Sequence, residues 1–237
     1  DKRFSRFEAM IGAEQMEALR HSHVMVVGVG GVGGGTVEAL SRAGVGTLTL
    51  VDRDVVDITN MNRQVAALSS TVGMPKVEAL AVRVRDVNPE CDVRPLCVNL
   101  AADTVDELLS DRPDCVADCI DDMNAKVLLI CECKRRGIPI VSSMGAGNRL
   151  DPSKLSITDV FRTQNDPVAR IMRKRLRDAG IKNLCVCASS ELPKKCRVET
   201  SPGRFSPASA PFVPPVAGMI IASQIVRFLC GEEGIRI

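Results

Sequence analysis

Tryptophan and tyrosine are absent from this 237-residue sequence, and six Phe leave aromatics at 3%. An RNA reader built on stacking platforms needs several exposed rings, so the composition argues against that class. Net charge is nearly absent as well: 31 Lys and Arg against 29 Asp and Glu give +2. That total argues against a nucleic-acid partner until it is divided along the chain. There is no C-x-x-C pair among the ten Cys, and His occurs only twice. Both, His21 and His23, precede the first expected strand, where a surface role is the sensible reading. No long apolar run is present: Val213–Val226 is interrupted by Pro214, Pro215 and Gly218 and carries Ser223 and Gln224. A membrane span needs about 20 predominantly apolar residues. The charged opening, Asp1 to Met10, lacks the apolar stretch of a secretory signal. The expectation is a cytoplasmic protein with free thiols.

What is there is an ordinary globular balance, 45% hydrophobic and 25% charged. It excludes a disordered or collagen-like chain. Short apolar runs alternate with helical patterns. Val24–Gly28, Thr47–Val51, Val93–Val98, Val116–Ile120 and Ile138–Ser142 read as strands. Thr36–Ala43, Lys76–Val87, Thr104–Leu109 and Ala125–Arg136 read as helices. Strands alternating with helices over residues 20–143 predict an α/β fold with a Rossmann-like, doubly wound, mostly parallel sheet. After Gly145 the pattern changes. Asp166–Ala179 reads as a helix with Pro167 in its first turn. Leu184–Ala188 and Arg197–Thr200 read as strands able to pair with each other. Residues 201–215 read as a Pro- and Ser-rich crossover loop, and Val216–Leu229 as a closing apolar helix. The expected division is a doubly wound part over 1–160, and a strand-and-helix extension over 161–237 that completes the same fold.

The charge divides along that boundary. Residues 1–160 hold 18 basic and 23 acidic side chains, and residues 161–237 hold 13 basic and 6 acidic. Five basic residues fall in one run: Arg170, Arg173, Lys174, Arg175 and Arg177. Such a run is either a solvated helix face or a phosphate-binding surface.

Gly28-Val-Gly30-Gly31-Val-Gly33 follows a strand and opens a helix. Glycine lets backbone approach a phosphate, and the helix start supplies N–H donors. Asp52 ends the next strand, where a carboxylate can hold ribose hydroxyls. Alone, this says only that a nucleotide is bound; by spacing it is a passable nicotinamide-dinucleotide fingerprint, and a lone match would favour an oxidoreductase. The following residues move the reading. Asp54, Asp57, Asn60, Asn62, Arg63 and Gln64 gather carboxylates, amides and a guanidinium at one sheet edge. Lys76 starts a helix, and Asp121 and Asp122 follow a later strand. A dehydrogenase has little use for that set. An enzyme splitting ATP between its α- and β-phosphates uses cations to offset phosphate charge and carboxylates to hold Mg2+.

The set resembles the ubiquitin-activating-enzyme-like adenylating family, which includes molybdopterin- and thiamine-biosynthesis adenylyltransferases. The glycine loop, the Asp52-x-Asp54 pair, the Asn60-to-Gln64 segment and Pro75-Lys76 occur in the family's order. The resemblance implies ATP and Mg2+ as ligands. It implies that Gly28, Gly30, Gly31 and Gly33 shape the nucleotide loop and that Asp52 binds ribose. Arg63 and Lys76 would act on the phosphates and Asp121 on the metal, with Asp54 assisting. Asn60 and Asn62 would line the same pocket. Arg3-Phe-Ser-Arg6 resembles an N-terminal element whose second arginine reaches a partner subunit's ATP, implying a homodimer; Arg6 reads equally as a surface arginine. Asp122 stands where the family usually has Asn.

Protein-activating branches of the family often carry two C-x-x-C zinc pairs, which this chain lacks. Cys185, Cys187 and Cys196 read as three ligands of an incomplete metal site or, with the missing spacing weighted in, as small apolar strand residues. The crossover loop carries no Cys, which disfavours a thioester. The opening segment, Gly145-Ala-Gly147, Asp151-Pro152, Thr158-Asp159, Asp166-Pro167 and Phe212-to-Gly218 resemble the subgroup of tRNA threonylcarbamoyladenosine dehydratases. That resemblance implies ATP-dependent cyclisation of a modified nucleoside in tRNA, with tRNA on the basic run and a sulfur-transfer or cysteine desulfurase-type partner in view. The competing readings are an adenylyltransferase acting on a ubiquitin-like sulfur carrier, and a nicotinamide-dependent dehydrogenase or non-catalytic nucleotide-binding module. Arg63 and Lys76 argue against the last pair.

Overall fold

The computed structural model describes residues 2–201, 203–233 and 237. Two short helices, α1 (Ser5–Ile11) and α2 (Ala13–His21), precede the first strand. Then follow β1 (His23–Val27), α3 (Gly31–Arg42), β2 (Thr47–Val51), α4 (Lys76–Val87), β3 (Asp92–Leu96), α5 (Val105–Leu108), β4 (Cys115–Asp118), α6 (Met123–Arg136) and β5 (Ile140–Ser143). The second part supplies β6 (Leu155–Asp159), α7 (Pro167–Asp178), β7 (Cys185–Ser189), β8 (Val198–Ser201), β9 (Arg204–Ser206) and α8 (Val213–Leu229).

Seven strands form one sheet in the order β3-β2-β1-β4-β5-β7-β6. All neighbours run parallel except β6, which lies antiparallel to β7 at the edge. The expected fold class is the one observed. The strand order reverses between β1 and β4, and a crevice opens there beyond the strands' C-terminal ends.

Strands buried on both faces read as continuous apolar runs, because each face is covered by helices. Along β1, Val24 and Val26 enter one core and Met25 and Val27 the other. The first core lies under α3, α4 and α8, and the second under α6 and α7.

Helix starts follow local capping chemistry. The Asp122 carboxylate accepts the Asn124 and Ala125 amides at 2.8 Å and caps α6. Asp166 accepts the Ala169 amide and caps α7, with Pro167 at the first position. Pro214 and Pro215 occupy the first turn of α8, where their missing N–H groups cost nothing. The prolines that break the apolar run therefore start the helix, which begins three residues before the expected Val216.

Helix α8 crosses α3 at backbone contact. A Cβ on Gly218 would lie 2.1 Å from the Val32 carbonyl oxygen. The Thr36 hydroxyl donates to the Gly218 carbonyl at 3.2 Å. Helix α8 is thus seated on the helix that begins at the glycine loop.

Several expectations are corrected. The 184–188 and 197–200 strands do not pair. β7 inserts between β5 and β6, while β8 pairs with β9 in a separate hairpin. Residues 155–159, outside the expected strands, form the sheet edge. Residues 204–206, expected as loop, form β9, and Pro202 of that loop lies outside the described residues. His23 is half-buried on β1, its Nε2 2.8 Å from Thr49 Oγ1, and burial lowers its pKa. No helix among the described residues is long and apolar enough to cross a membrane.

Candidate active site

The crevice is a cleft of about 880 Å³ lined from four sides. The glycine loop forms its floor. Gly28 donates to the Val51 carbonyl at 2.8 Å and has φ +82°, open to glycine with little strain. A Cβ at Gly33 would fall 1.8 Å from the Gly28 carbonyl oxygen, so that turn admits no side chain. The helix begins at Gly31, inside the loop rather than after it at Thr36. Its first amides consequently face the cleft, a favourable place for anions.

The β2 end supplies the second wall. Asp52 accepts the Val29 amide at 2.8 Å and the Asp54 amide at 2.9 Å, tying the glycine loop to the strand beside it. Lys76 is buried, and its Nζ lies 2.9 Å from Asp54 Oδ2. Arg63 reaches the cleft from the segment after Asn60, donating to the Thr59 carbonyl and to Asn62 Oδ1 at 2.8 Å. Gln64 lines the cleft beside Gly30, and its Oε1 is buried with no hydrogen-bond partner among the described residues.

Asp121 lines the third wall, exposed, in the loop after β4. Its neighbour Asp122 is turned to the α6 amides, which defines that position as a helix cap. Behind them lies a network the sequence reading missed. Lys126 Nζ is 2.8 Å from Asp118 Oδ2, 2.9 Å from the Ser143 carbonyl oxygen and 3.3 Å from Ser142 Oγ. Ser142 Oγ donates to the same Asp118 oxygen at 2.5 Å, and Asp118 Oδ1 accepts the Ile120 amide at 3.2 Å. The signal was present: Lys126 falls in phase with buried Leu129, Ile130 and Cys133 of α6. A lysine in an apolar stripe needs a buried partner.

The fourth wall is Ser143–Gly147 with Ser206–Ser209. The Asn148 amide donates to the Ala208 carbonyl at 2.7 Å, and Asn148 Oδ1 accepts the Ala208 amide at 2.8 Å, pinning the crossover loop to this wall.

Three expected site residues lie elsewhere. Asn60 accepts the Asp57 amide and closes a local capping box. Asn62 donates to the Ser209 carbonyl at 3.0 Å, bridging to the crossover loop rather than lining the cleft. Arg6 is exposed on α1. The adjacent Phe4 packs at Gly44, just past the C-terminal end of α3, opposite the cleft.

The basic run divides in two on α7. Arg173 donates to Thr163, Arg175 Nη1 donates to Asn124 Oδ1 at 2.7 Å, and both are half-buried. Arg170, Lys174 and Arg177 are exposed at helical spacing and form one stripe. Arg177 lies 5.1 Å over the Phe161 ring.

The thiols are quiet. Cys119 lines the cleft, and burial, with the nearby Asp118 charge, pushes its pKa up to about 12. Burial likewise raises Cys187 to about 12. Cys196 is exposed, whereas Cys187 is buried. Among the described residues no three His, Cys, Asp or Glu side chains gather as a metal site.

Comparison with known proteins agrees with this geometry. The chain is 43% identical to the tRNA threonylcarbamoyladenosine dehydratase of Bacillus subtilis, over 98% of this chain and 96% of that one. It superposes on the crystal structure of the E. coli tRNA N6-threonylcarbamoyladenosine dehydratase TcdA in complex with ATP with a TM-score of 0.90 and 35% identity. The match covers 98% of this chain and 95% of that one. The same E. coli enzyme in complex with AMP matches with a TM-score of 0.91 and 33% identity, over 99% and 96%. A profile of the ThiF family matches residues 4–236. With fold, glycine loop and cleft in agreement, the chain belongs to the ThiF family.

Proposed function

We propose that this chain is an ATP-dependent tRNA-modifying enzyme that dehydrates threonylcarbamoyladenosine to its cyclic hydantoin form. The observation that carries the reading is the make-up of the cleft. The cations Arg63 and Lys76 and the carboxylate Asp121, which has no hydrogen-bond or ion-pair partner among the described residues, surround the start of a glycine-loop helix, and the thiol at hand, Cys119, is held protonated. That set suits activation of a carboxylate by ATP, followed by an attack that needs no protein nucleophile.

The reaction balances on substrate atoms. A carboxylate oxygen of the modified nucleoside attacks the α-phosphorus of ATP, and the bond to the β-phosphate oxygen breaks, releasing pyrophosphate. The carbamoyl nitrogen then attacks the activated acyl carbon and loses its proton. The acyl C–O bond breaks, and AMP departs with the carboxylate's oxygen. Ring closure is intramolecular, so orientation supplies most of what catalysis requires.

The residues divide this work. The amides at the start of α3 face the phosphates. Asp52, held by the Val29 and Asp54 amides, keeps lone pairs for ribose hydroxyls. Lys76, fixed by Asp54, and Arg63 offset negative charge where it grows. The residues fit Mg2+, which takes one or two carboxylates with phosphate oxygens and water. Asp121 would hold it, with Asp54 contributing only while shared with Lys76. When bound, Mg2+ neutralises charge on the departing pyrophosphate.

The exposed stripe Arg170, Lys174 and Arg177 binds tRNA phosphates, which position the substrate without reading its sequence. Arg6, remote from its own chain's cleft, serves the cleft of a second copy, which makes the working form a homodimer in the cytoplasm.

Nucleoside mass spectrometry of tRNA incubated with protein, ATP and Mg2+ tests the reading. Loss of one water from threonylcarbamoyladenosine, with one AMP formed per event, is expected. An unchanged nucleoside beside pyrophosphate exchange that depends on a carrier protein ending in Gly-Gly would overturn it.

A further inference from the structure

Helix α7 is fastened to the cleft at both ends. At its start, the Asp166 carboxylate is shared. One oxygen caps the helix through the Ala169 amide at 3.0 Å, and the other accepts the amide of Gly145, a cleft-wall residue, at 3.1 Å. Arg149 Nη2 lies 3.4 Å from that second oxygen, and both side chains are wholly buried. Two turns later, Arg175 Nη1 donates to Asn124 Oδ1 at 2.7 Å. Asn124 is in the first turn of α6, three residues after Asp121, and its amide is held by the Asp122 cap.

The two fastenings join α7 to the two cleft loops, 120–124 and 145–147. They also take Arg175 out of the set of cations free to meet phosphate. The side chains left for RNA all leave the helix on its outer stripe.

We infer that α7 is a fixed spacer: Arg175 and Asp166 are positioning residues that set the distance between bound RNA backbone and the reacting phosphate, rather than ligands of the RNA. This rests on the reading of α7 as the tRNA-binding element. The cause is geometric. An intramolecular-type step loses rate steeply when reacting atoms shift by about 1 Å, even if binding is untouched. Exposed cations on a helix free to slide would give affinity without register.

Arg175→Met, Asn124→Ala and the double variant are compared with wild type in steady-state turnover of modified tRNA and in tRNA and ATP binding. Each single variant should lower kcat about tenfold, with KM for tRNA and ATP within about twofold, and the double should be no worse than either single. Asp166→Asn keeps an oxygen for the cap but leaves Arg149 without its counter-charge. If it stays folded by circular dichroism, its kcat should fall in the same way. Arg175→Met that raises KM for tRNA at unchanged kcat would make Arg175 a phosphate ligand and overturn the inference. So would an Asn124→Ala loss of kcat while Arg175→Met alone turns over like wild type, since Asn124 would then be acting on substrate directly. Wild-type protein that leaves every modified tRNA unchanged sinks the underlying reading instead.

Discussion

Lys126 and Asp118 form an ion pair behind the third wall of the cleft with Nζ and Oδ2 2.8 Å apart, the side chains 1% and 0% exposed. All three ammonium hydrogens have oxygen partners: Asp118, Ser142 and the Ser143 carbonyl. Removing one partner leaves a buried charge. Lys126→Met should cost about 3–5 kcal/mol of stability, measured by urea unfolding. Combining it with Asp118→Leu should recover part of that loss. A double variant no more stable than the single would show that the pair is not the cause.

Asp121 and Asp122 are neighbours with separable tasks. Asp122→Ala should cost about 1 kcal/mol through the lost α6 cap, and Asp122→Asn, also a capping residue, almost nothing. Asp121→Asn should leave the melting temperature unchanged but lower AMP formation by about 100-fold or more. Calorimetry and AMP release on the same samples separate the two.

The glycine loop offers a contrast between space and chemistry. Gly33→Ala puts a Cβ 1.8 Å from the Gly28 carbonyl oxygen, so the turn cannot close and soluble folded protein should be lost. At Gly30 the nearest atom to a Cβ would be Gln64 Nε2 at 3.7 Å. Gly30→Ala should therefore fold normally yet bind ATP weakly, because the methyl group occupies the path of a phosphate to the backbone. Titration calorimetry with ATP reads the difference.

The buried thiols set an alkaline limit on stability. Burial raises Cys91 and Cys185 to about 11, and Cys119, Cys133 and Cys187 to about 12, from an ordinary 9.0. A raised native pKa gives stability that is complete below the unfolded value and lost as pH rises toward the native one. Unfolding free energy should decline from pH 9 upward. Replacing Cys187 by Val should make that decline shallower. At pH 8, iodoacetamide should mark exposed Cys97 and Cys196 and spare Cys119.

The outer stripe of α7 should behave as a set of phosphate contacts. Arg170→Glu with Lys174→Glu should weaken tRNA binding and flatten its dependence on salt, by about 0.9 in log–log slope per lost contact for a duplex segment. Reversal of Arg173, which holds Thr163, should act on stability first. Filter binding across a salt series, beside melting curves, distinguishes the two.

The sheet was legible in the sequence because strands covered on both faces must be apolar throughout, and β2 and α4 fall at the expected residues. Edge strand β6 was not. Its Ser156 is exposed and its Ile157, Thr158 and Asp159 are only partly covered, so they carry no continuous apolar run. The pairing of 184–188 was misjudged because its true neighbours, β5 and β6, are decided by tertiary packing, not by nearness along the chain. Within the cleft, Asp52, Arg63, Lys76 and Asp121 were readable from residue type and order. Asn60 and Asn62 were read as pocket residues, although their amides answer local needs, a cap and a loop bridge. Lys126 went unread because its partners are supplied by β4 and β5, which meet it only in three dimensions. The basic run was visible as composition, but its division into an outer stripe and two fastened arginines depended on helix phase and on α6.

The seat of α8 on α3 bears on how the protein is made. The hydrogen bond from Thr36 to Gly218 spans 182 residues. During synthesis the glycine loop leaves the ribosome long before the helix that covers it. Until α8 arrives, the small-residue face of α3 is open to water and the Pro214 side of the cleft is missing. Contacts this distant in sequence form late in folding. Nucleotide binding should thus be silent in nascent chains until α8 has left the ribosome.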